Sequence, residues 1–66
     1  MDWLREIRQK KNVRQYEVAE ATEISQATYC NIENGERRPS VETAKKIAQV
    51  LGFEWTRFFE DEQQAG

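Results

Sequence analysis

Residues 15–34 read QYEVAEATEISQATYCNIEN, and this segment predicts two short helices joined by a turn. The first helix covers Gln15 to Ala21, and the second runs from a cap at Ser25 to about Asn34. Two short helices with such a turn have the geometry that lets the second helix enter the major groove of DNA. Many helical proteins contain such a pair, so the spacing alone indicates this function only weakly.

Three further helices are predicted around this pair. The first runs from Asp2 to about Lys11, and a loop over residues 35–39 follows the third helix. Ser40 caps a fourth helix that ends before Gly52, and a short fifth helix covers Phe53 to Phe59. The apolar stripe of the fourth helix is Val41, Ala44, Ile47, Ala48 and Leu51. No segment alternates like a strand, so the sequence predicts an all-α fold of five helices.

The length of 66 residues allows one hydrophobic core. We expect one domain over residues 1–59 and a polar tail over residues 60–66. A domain of this size buries only about 60% of the surface of its unfolded chain, which favours dimerisation. No apolar run approaches the roughly 18 residues of a membrane span, and the N-terminus does not resemble a secretion signal. We therefore expect a soluble, cytoplasmic protein that does not bind membranes.

Composition argues against catalysis. The sequence has no histidine and a single cysteine, Cys30, which excludes a nucleophile–base pair with histidine and a convincing zinc site. We expect no enzyme activity, no metal, no cofactor and no small-molecule ligand. The net charge of −2 does not favour nucleic acid, but the basic residues cluster within residues 5–14 and at Arg37 and Arg38.

Several short motifs occur together between Trp3 and Phe59. They are Arg8, Gln15-x-x-Val18-Ala19, Ile24-Ser25-Gln26, Ile32-Glu33-Asn34-Gly35, Arg38-Pro39-Ser40 and Leu51-Gly52. No single motif is specific, but as a set they resemble the Cro and phage-repressor (XRE) family of helix-turn-helix regulators. The resemblance implies a five-helix, lambda-repressor-like DNA-binding domain. It also implies a transcriptional regulator, in the first instance a repressor, that binds a palindromic operator as a homodimer.

The resemblance assigns base contacts to Gln26, Ala27 and Asn31. These residues lie on the side of the predicted third helix opposite Tyr29 and Ile32. Taken alone, such a polar side is more often a solvated surface. Glutamine can pair with adenine and alanine can contact the thymine methyl group, which is chemistry suited to base contacts.

The resemblance also implies contacts to the DNA backbone and one structural ion pair. Gln15 would stand at the N-terminus of the second helix, where free N–H groups favour a phosphate. The expected backbone contacts are Gln15, Arg14, Thr28, Asn34, Arg37 and Arg38. An arginine pair in a loop is equally often only solvated. Arg8 and Glu33 match a family pair that ties the first helix to the end of the third.

Four residues depart from the family pattern, and two of them, Tyr29 and Thr22, replace smaller and more apolar core residues. Glu23 stands in the turn where members usually carry glycine, and it has a steric cost if its φ is positive. Arg14 replaces the usual serine or threonine cap of the second helix, which gives up a capping hydrogen bond but brings a cation close to a phosphate.

Aromatic residues are concentrated in the predicted fifth helix, with three Phe and one Trp in seven residues. This exceeds what one short helix can bury in so small a core, so we expect Trp55, Phe58 and Phe59 at a homodimer contact. The same aromatic residues leave an alternative open: a protein-interaction module of this fold, such as an antitoxin or accessory subunit. Salt-dependent retention on heparin or random DNA would separate the two functions.

Overall fold

The computed structural model describes residues 2–60 of the chain, and all regular structure in this range is helical. The helices are α1 (Asp2–Lys10), α2 (Gln15–Ala21), α3 (Gln26–Glu33) and α4 (Val41–Leu51). A short α5 occupies residues 57–60. The prediction of an all-α, five-helix fold is therefore confirmed. None of the described helices is long and apolar enough to cross a membrane.

Serine caps begin α3 and α4, as the sequence predicts. Ser25 Oγ accepts a hydrogen bond from the backbone N–H of Thr28 at 3.1 Å. Ser40 Oγ accepts in the same way from Thr43 at 3.2 Å. Each cap satisfies a backbone donor that has no partner inside its helix, which determines where the helix begins.

The N-terminus of α2 is capped differently, because its N-cap residue, Arg14, has no hydrogen-bond acceptor in its side chain. The carboxylate of Glu17, three residues later, accepts from the backbone N–H of Arg14 at 2.9 Å. This bond is half of a capping box, and it places a negative charge at the positive end of the helix.

The turn between α2 and α3 contains a strained residue. Glu23 has a φ of 62°, in the left-handed region that glycine adopts more easily. The backbone N–H of Ile24 then donates to the carbonyl of Ala19 at 3.0 Å, which returns the chain toward α2. The steric cost expected at Glu23 is therefore present.

The core lies where the helices converge, and α2 packs most extensively against α3. Thr22 is buried there, and its hydroxyl donates to the carbonyl of Val18 at 2.8 Å. That bond satisfies its polar group and makes threonine acceptable in an apolar setting. The buried apolar cluster consists of Leu4, Val18, Ala19, Tyr29, Ile32, Ala44, Ile47, Leu51 and Phe58.

The C-terminal segment differs from the prediction. Residues 53–56 form a bend and a turn, so helical structure begins only at residue 57 and Glu60 belongs to it. Phe58 is 4% exposed and packs against Trp3 and Phe53, with ring centroids 5.3 and 5.5 Å away. Phe58 is therefore a core residue, which removes it from the expected dimer contacts. Residues 61–66 of the expected tail lie outside the described residues.

Val41 was expected in the apolar stripe of α4, but its side chain is 49% exposed. It is the first residue of the helix, where the chain has only begun to approach the core. The other four positions of the stripe are buried: Ala44, Ile47, Ala48 and Leu51.

Candidate nucleic-acid interface

One side of α3 is packed and the other faces solvent. Tyr29, Ile32 and Glu33 are buried on the packed side. The solvent side, which we call the outer face of α3, carries Gln26, Ala27, Cys30, Asn31 and Asn34. The structure thus brings the three expected base-contact residues onto one accessible surface.

The packed side of α3 is held to α1 by an ion pair. The side chain of Glu33 is fully buried, and Arg8 donates to it twice: Nε to Oε2 and Nη2 to Oε1, each at 3.0 Å. Arg8 Nη1 also donates to the carbonyl of Val13 at 3.0 Å. One guanidinium therefore joins α1, the turn before α2 and the end of α3.

Arg5 is a second partner of this carboxylate, and it is not among the site residues predicted from the sequence. Its Nε donates to Glu33 Oε1 at 3.4 Å, and its Nη2 donates to Asn34 Oδ1 at 3.5 Å. Both bonds are long and the side chain is 47% exposed, so they are weak. Arg5 lies three residues before Arg8, one helical turn away on the same side of α1, and this spacing was the available signal.

The electrostatics of the pair keep both groups charged. Burial is the largest influence and by itself would raise the pKa of the Glu33 carboxyl, but the hydrogen bonds and charge of Arg8, together with the other polar side chains around the carboxyl, hold that pKa below its usual range. The side chain of Gln15 contributes in the same direction. Burial, and then the neighbouring Glu33, raise the pKa of the Tyr29 hydroxyl, so that group stays protonated.

The residues expected to contact the DNA backbone lie at the ends of α2 and α3 and in the following loop. Gln15 and Thr28 are half-buried. The exposed members of the set are Arg14, Asn34, Arg37 and Arg38. A cleft open to solvent lies beside the start of α2, lined by Arg8, Gln9, Asn12, Val13 and Arg14. Arg14 is the exposed cation of this cleft, because the Arg8 guanidinium is paired with Glu33.

Trp55 and Phe59 remain half-buried at the edge of the core. Their rings meet edge to face with centroids 6.0 Å apart, and Lys45 Nζ lies 5.1 Å from the centre of the Trp55 ring. This edge presents aromatic surface beside a cation. Within residues 2–60, no group of three or more His, Cys, Asp or Glu side chains is arranged to hold a metal ion.

Comparisons with known proteins agree with this geometry. A helix-turn-helix family model, HTH_3, matches residues 4–58. The chain is 54% identical over 59 residues to the uncharacterized HTH-type transcriptional regulator YqaF of Bacillus subtilis (strain 168), covering 89% of this chain and 78% of that protein. A crystal structure of an HTH_3 family transcriptional regulator from Vibrio cholerae has a TM-score of 0.72 and 30% identity, covering 97% of this chain. The chain spans 36% of the length of that regulator.

Proposed function

Because this chain belongs to the helix-turn-helix family of transcriptional regulators, we propose that it places α3 in the major groove of duplex DNA. The outer face of α3 is the observation that carries the proposal. An accessible helix surface that carries the amides of Gln26 and Asn31 and the methyl group of Ala27 suits base edges. Gln26, Ala27 and Asn31 make the base contacts in this proposal.

Side chains around the outer face hold the phosphates. The proposed backbone contacts are Gln15, Arg14, Thr28, Asn34, Arg37 and Arg38. Ser25 Oγ donates to Thr28 Oγ1 at 2.8 Å, so the hydrogen of the Thr28 hydroxyl remains for another acceptor such as a phosphate oxygen. Arg14 lines the cleft beside α2, where a phosphate would also meet the positive end of that helix.

The binding unit in this proposal is a homodimer on a palindromic operator, and its effect is repression. A two-fold dimer matches two half-sites, and each additional half-site adds phosphate and base contacts. Trp55 and Phe59 are the proposed dimer contacts, because their rings are only partly covered within one protomer. Repression follows if the bound dimer excludes other proteins from the same DNA.

The test begins with selection of bound duplexes from a random library by the wild-type chain. Gln26→Ala then weakens binding to the selected duplex by about 5- to 150-fold and affects a scrambled duplex little, because only a base contact is lost. Arg38→Ala weakens binding to both duplexes and makes the slope of affinity against salt shallower by about one unit. Lys46→Ala, which removes a cation paired with Glu42 on α4, is the charge-matched control.

Two results would contradict the proposal. Equal weakening of both duplexes by Gln26→Ala means that α3 does not recognise bases through this residue. Failure of the wild-type chain to select any duplex, or to be retained on heparin, favours the protein-interaction module instead.

A further inference from the structure

The outer face of α3 lacks the side chains that recognise G·C pairs. In the major groove, arginine and lysine donate to guanine O6 and N7, and aspartate and glutamate accept from the cytosine amino group. No arginine, lysine or aspartate occurs within residues 26–34. The one acidic residue there, Glu33, is buried and held by Arg8 and Arg5.

The groups that the outer face does carry match A·T pairs. The amides of Gln26 and Asn31 each place an N–H donor beside a carbonyl acceptor, which is the arrangement that adenine N7 and N6 require. The methyl group of Ala27 matches the thymine methyl group. Cys30, half-buried between them, adds a small and weakly polar surface.

The nearby arginines are placed for other roles. Arg8 has hydrogen bonds to Glu33 and Val13, and its side chain is only 13% exposed. Arg37 and Arg38 follow the C-terminal end of α3, whereas the N-terminal residues of a recognition helix contact the bases. Arg5 of α1 reaches Asn34 at the C-terminal edge of the outer face, with Nη2 3.5 Å from Asn34 Oδ1. The positive charge therefore borders the outer face, and no arginine or lysine belongs to α3 itself.

We propose that each operator half-site presents A·T pairs to α3, with adenine at Gln26 and Asn31 and thymine at Ala27, and that α3 recognises no G·C pair. This inference rests on the proposed function. It deepens that function by naming the base pairs that the outer face selects.

The first test is the composition of duplexes that the wild-type chain selects from a random library. A·T pairs are expected at the invariant central positions of each half-site. Replacing the contacted adenine with 7-deazaadenine removes the N7 acceptor, and binding should weaken by about 5- to 150-fold. Replacing the contacted thymine with uracil removes one methyl group, and binding should weaken about fourfold. The control is 7-deazaguanine at each guanine of the half-site, which should leave affinity unchanged.

The second test assigns each contact to its residue by combining protein and DNA substitutions. In a cycle of Gln26→Ala with 7-deazaadenine, the DNA change should have no further effect once the glutamine is gone. A cycle of Ala27→Gly with uracil should show the same loss of effect, because glycine lacks the methyl group that contacts the thymine methyl. Asn31→Ala is expected to couple to a different adenine from Gln26→Ala, which separates the two amide contacts.

The outcomes separate this inference from the proposed function. Invariant A·T pairs with coupled cycles support it. The inference is overturned by an invariant G·C pair that α3 contacts. In that case 7-deazaguanine at this pair weakens binding by the wild-type chain but not by Gln26→Ala or Asn31→Ala. The proposed function is then still supported. A wild-type chain that selects no duplex overturns both.

Discussion

At the scale of single residues, the buried carboxylate of Glu33 joins the fold to the candidate site. It sits at the last residue of α3, and its partners Arg5 and Arg8 come from α1. A buried charge is tolerated only when it is paired and hydrogen-bonded. The pair therefore holds α3 in one position relative to α1, and the outer face of α3 depends on that position.

Removing either partner of this pair should destabilise the protein. Arg8→Met and Glu33→Gln should each lower the free energy of unfolding by about 1 to 3 kcal/mol, because each leaves a buried polar group without its partner. The double variant should lose less than the sum of the two. Urea unfolding of all four proteins measures the coupling, and Arg5→Met is the control with a smaller expected loss, since Arg5 is more exposed. If the losses in unfolding free energy of the two single variants simply add in the double variant, the two side chains are not coupled and the prediction is wrong.

The same carboxylate should make stability depend on acid pH. Its pKa is lower in the folded state than in the unfolded state, so the unfolded chain binds the proton more readily. The contribution of Glu33 to the free energy of unfolding is complete above the usual pKa range of glutamate, about 4 to 5. It is lost as the pH falls through the folded-state pKa. Unfolding free energies measured from pH 7 to pH 3 should fall more steeply for the wild-type chain than for Glu33→Gln. Parallel curves would count against this prediction.

At the scale of elements, the turn between α2 and α3 determines how the outer face is presented. This turn begins at Thr22 and ends at the Ser25 cap, so four residues join the two helices, and one of them, Glu23, is strained. A glycine there would have no Cβ to clash in the left-handed region. Glu23 therefore leaves backbone strain in the turn that precedes the candidate recognition helix, α3.

Relieving that strain should stabilise the chain. Glu23→Gly is expected to raise the free energy of unfolding by roughly 0.5 to 1 kcal/mol, which is the relief of left-handed strain less the extra entropy of glycine in the unfolded chain. Glu23→Ala keeps the Cβ atom and should give no increase, so it controls for loss of the carboxylate. Thermal or urea unfolding compares the three proteins. An equal gain in both variants would mean that charge, and not backbone strain, is responsible.

At the scale of the whole molecule, the aromatic residues of the C-terminal segment divide into two groups. Phe53 and Phe58 pack with Trp3 of α1, and Arg57 lies 4.5 Å from the centre of the Trp3 ring. This first group closes the core. Trp55 and Phe59 form the second group at its edge, where their rings remain partly accessible.

The second group should mediate self-association. Sedimentation equilibrium at micromolar concentration is expected to show a dimer for the wild-type chain. Trp55→Ala and Phe59→Ala should each shift the equilibrium toward monomer, because buried aromatic area contributes most of the binding energy of such contacts. Tyr16→Ala removes an aromatic side chain of α2 that is 49% exposed, and it should leave the association unchanged. A wild-type chain that is monomeric both alone and on DNA would rule out this dimer.

Local sequence patterns were enough to predict α1 to α4 and the composition of much of the candidate site. The bounds of α2, the serine caps of α3 and α4 and the end of α4 at Gly52 depend on residues within about four positions of one another, because helical hydrogen bonds and caps are local. The composition of the outer face follows from the helical period alone. The pairing of Arg8 with Glu33 was implied by family resemblance, and the structure places the two side chains in contact.

Which side chains the core covers depends on how the helices pack together. Phe58 and Phe59 are adjacent and chemically identical, yet one is buried against Trp3 and the other stays at the edge. Arg5 reaches a carboxylate 28 positions away, and its spacing from Arg8 places it on the same side of α1 without showing that it makes this contact. Burial is a property of the space between helices that are distant in sequence, so it is determined when they pack together.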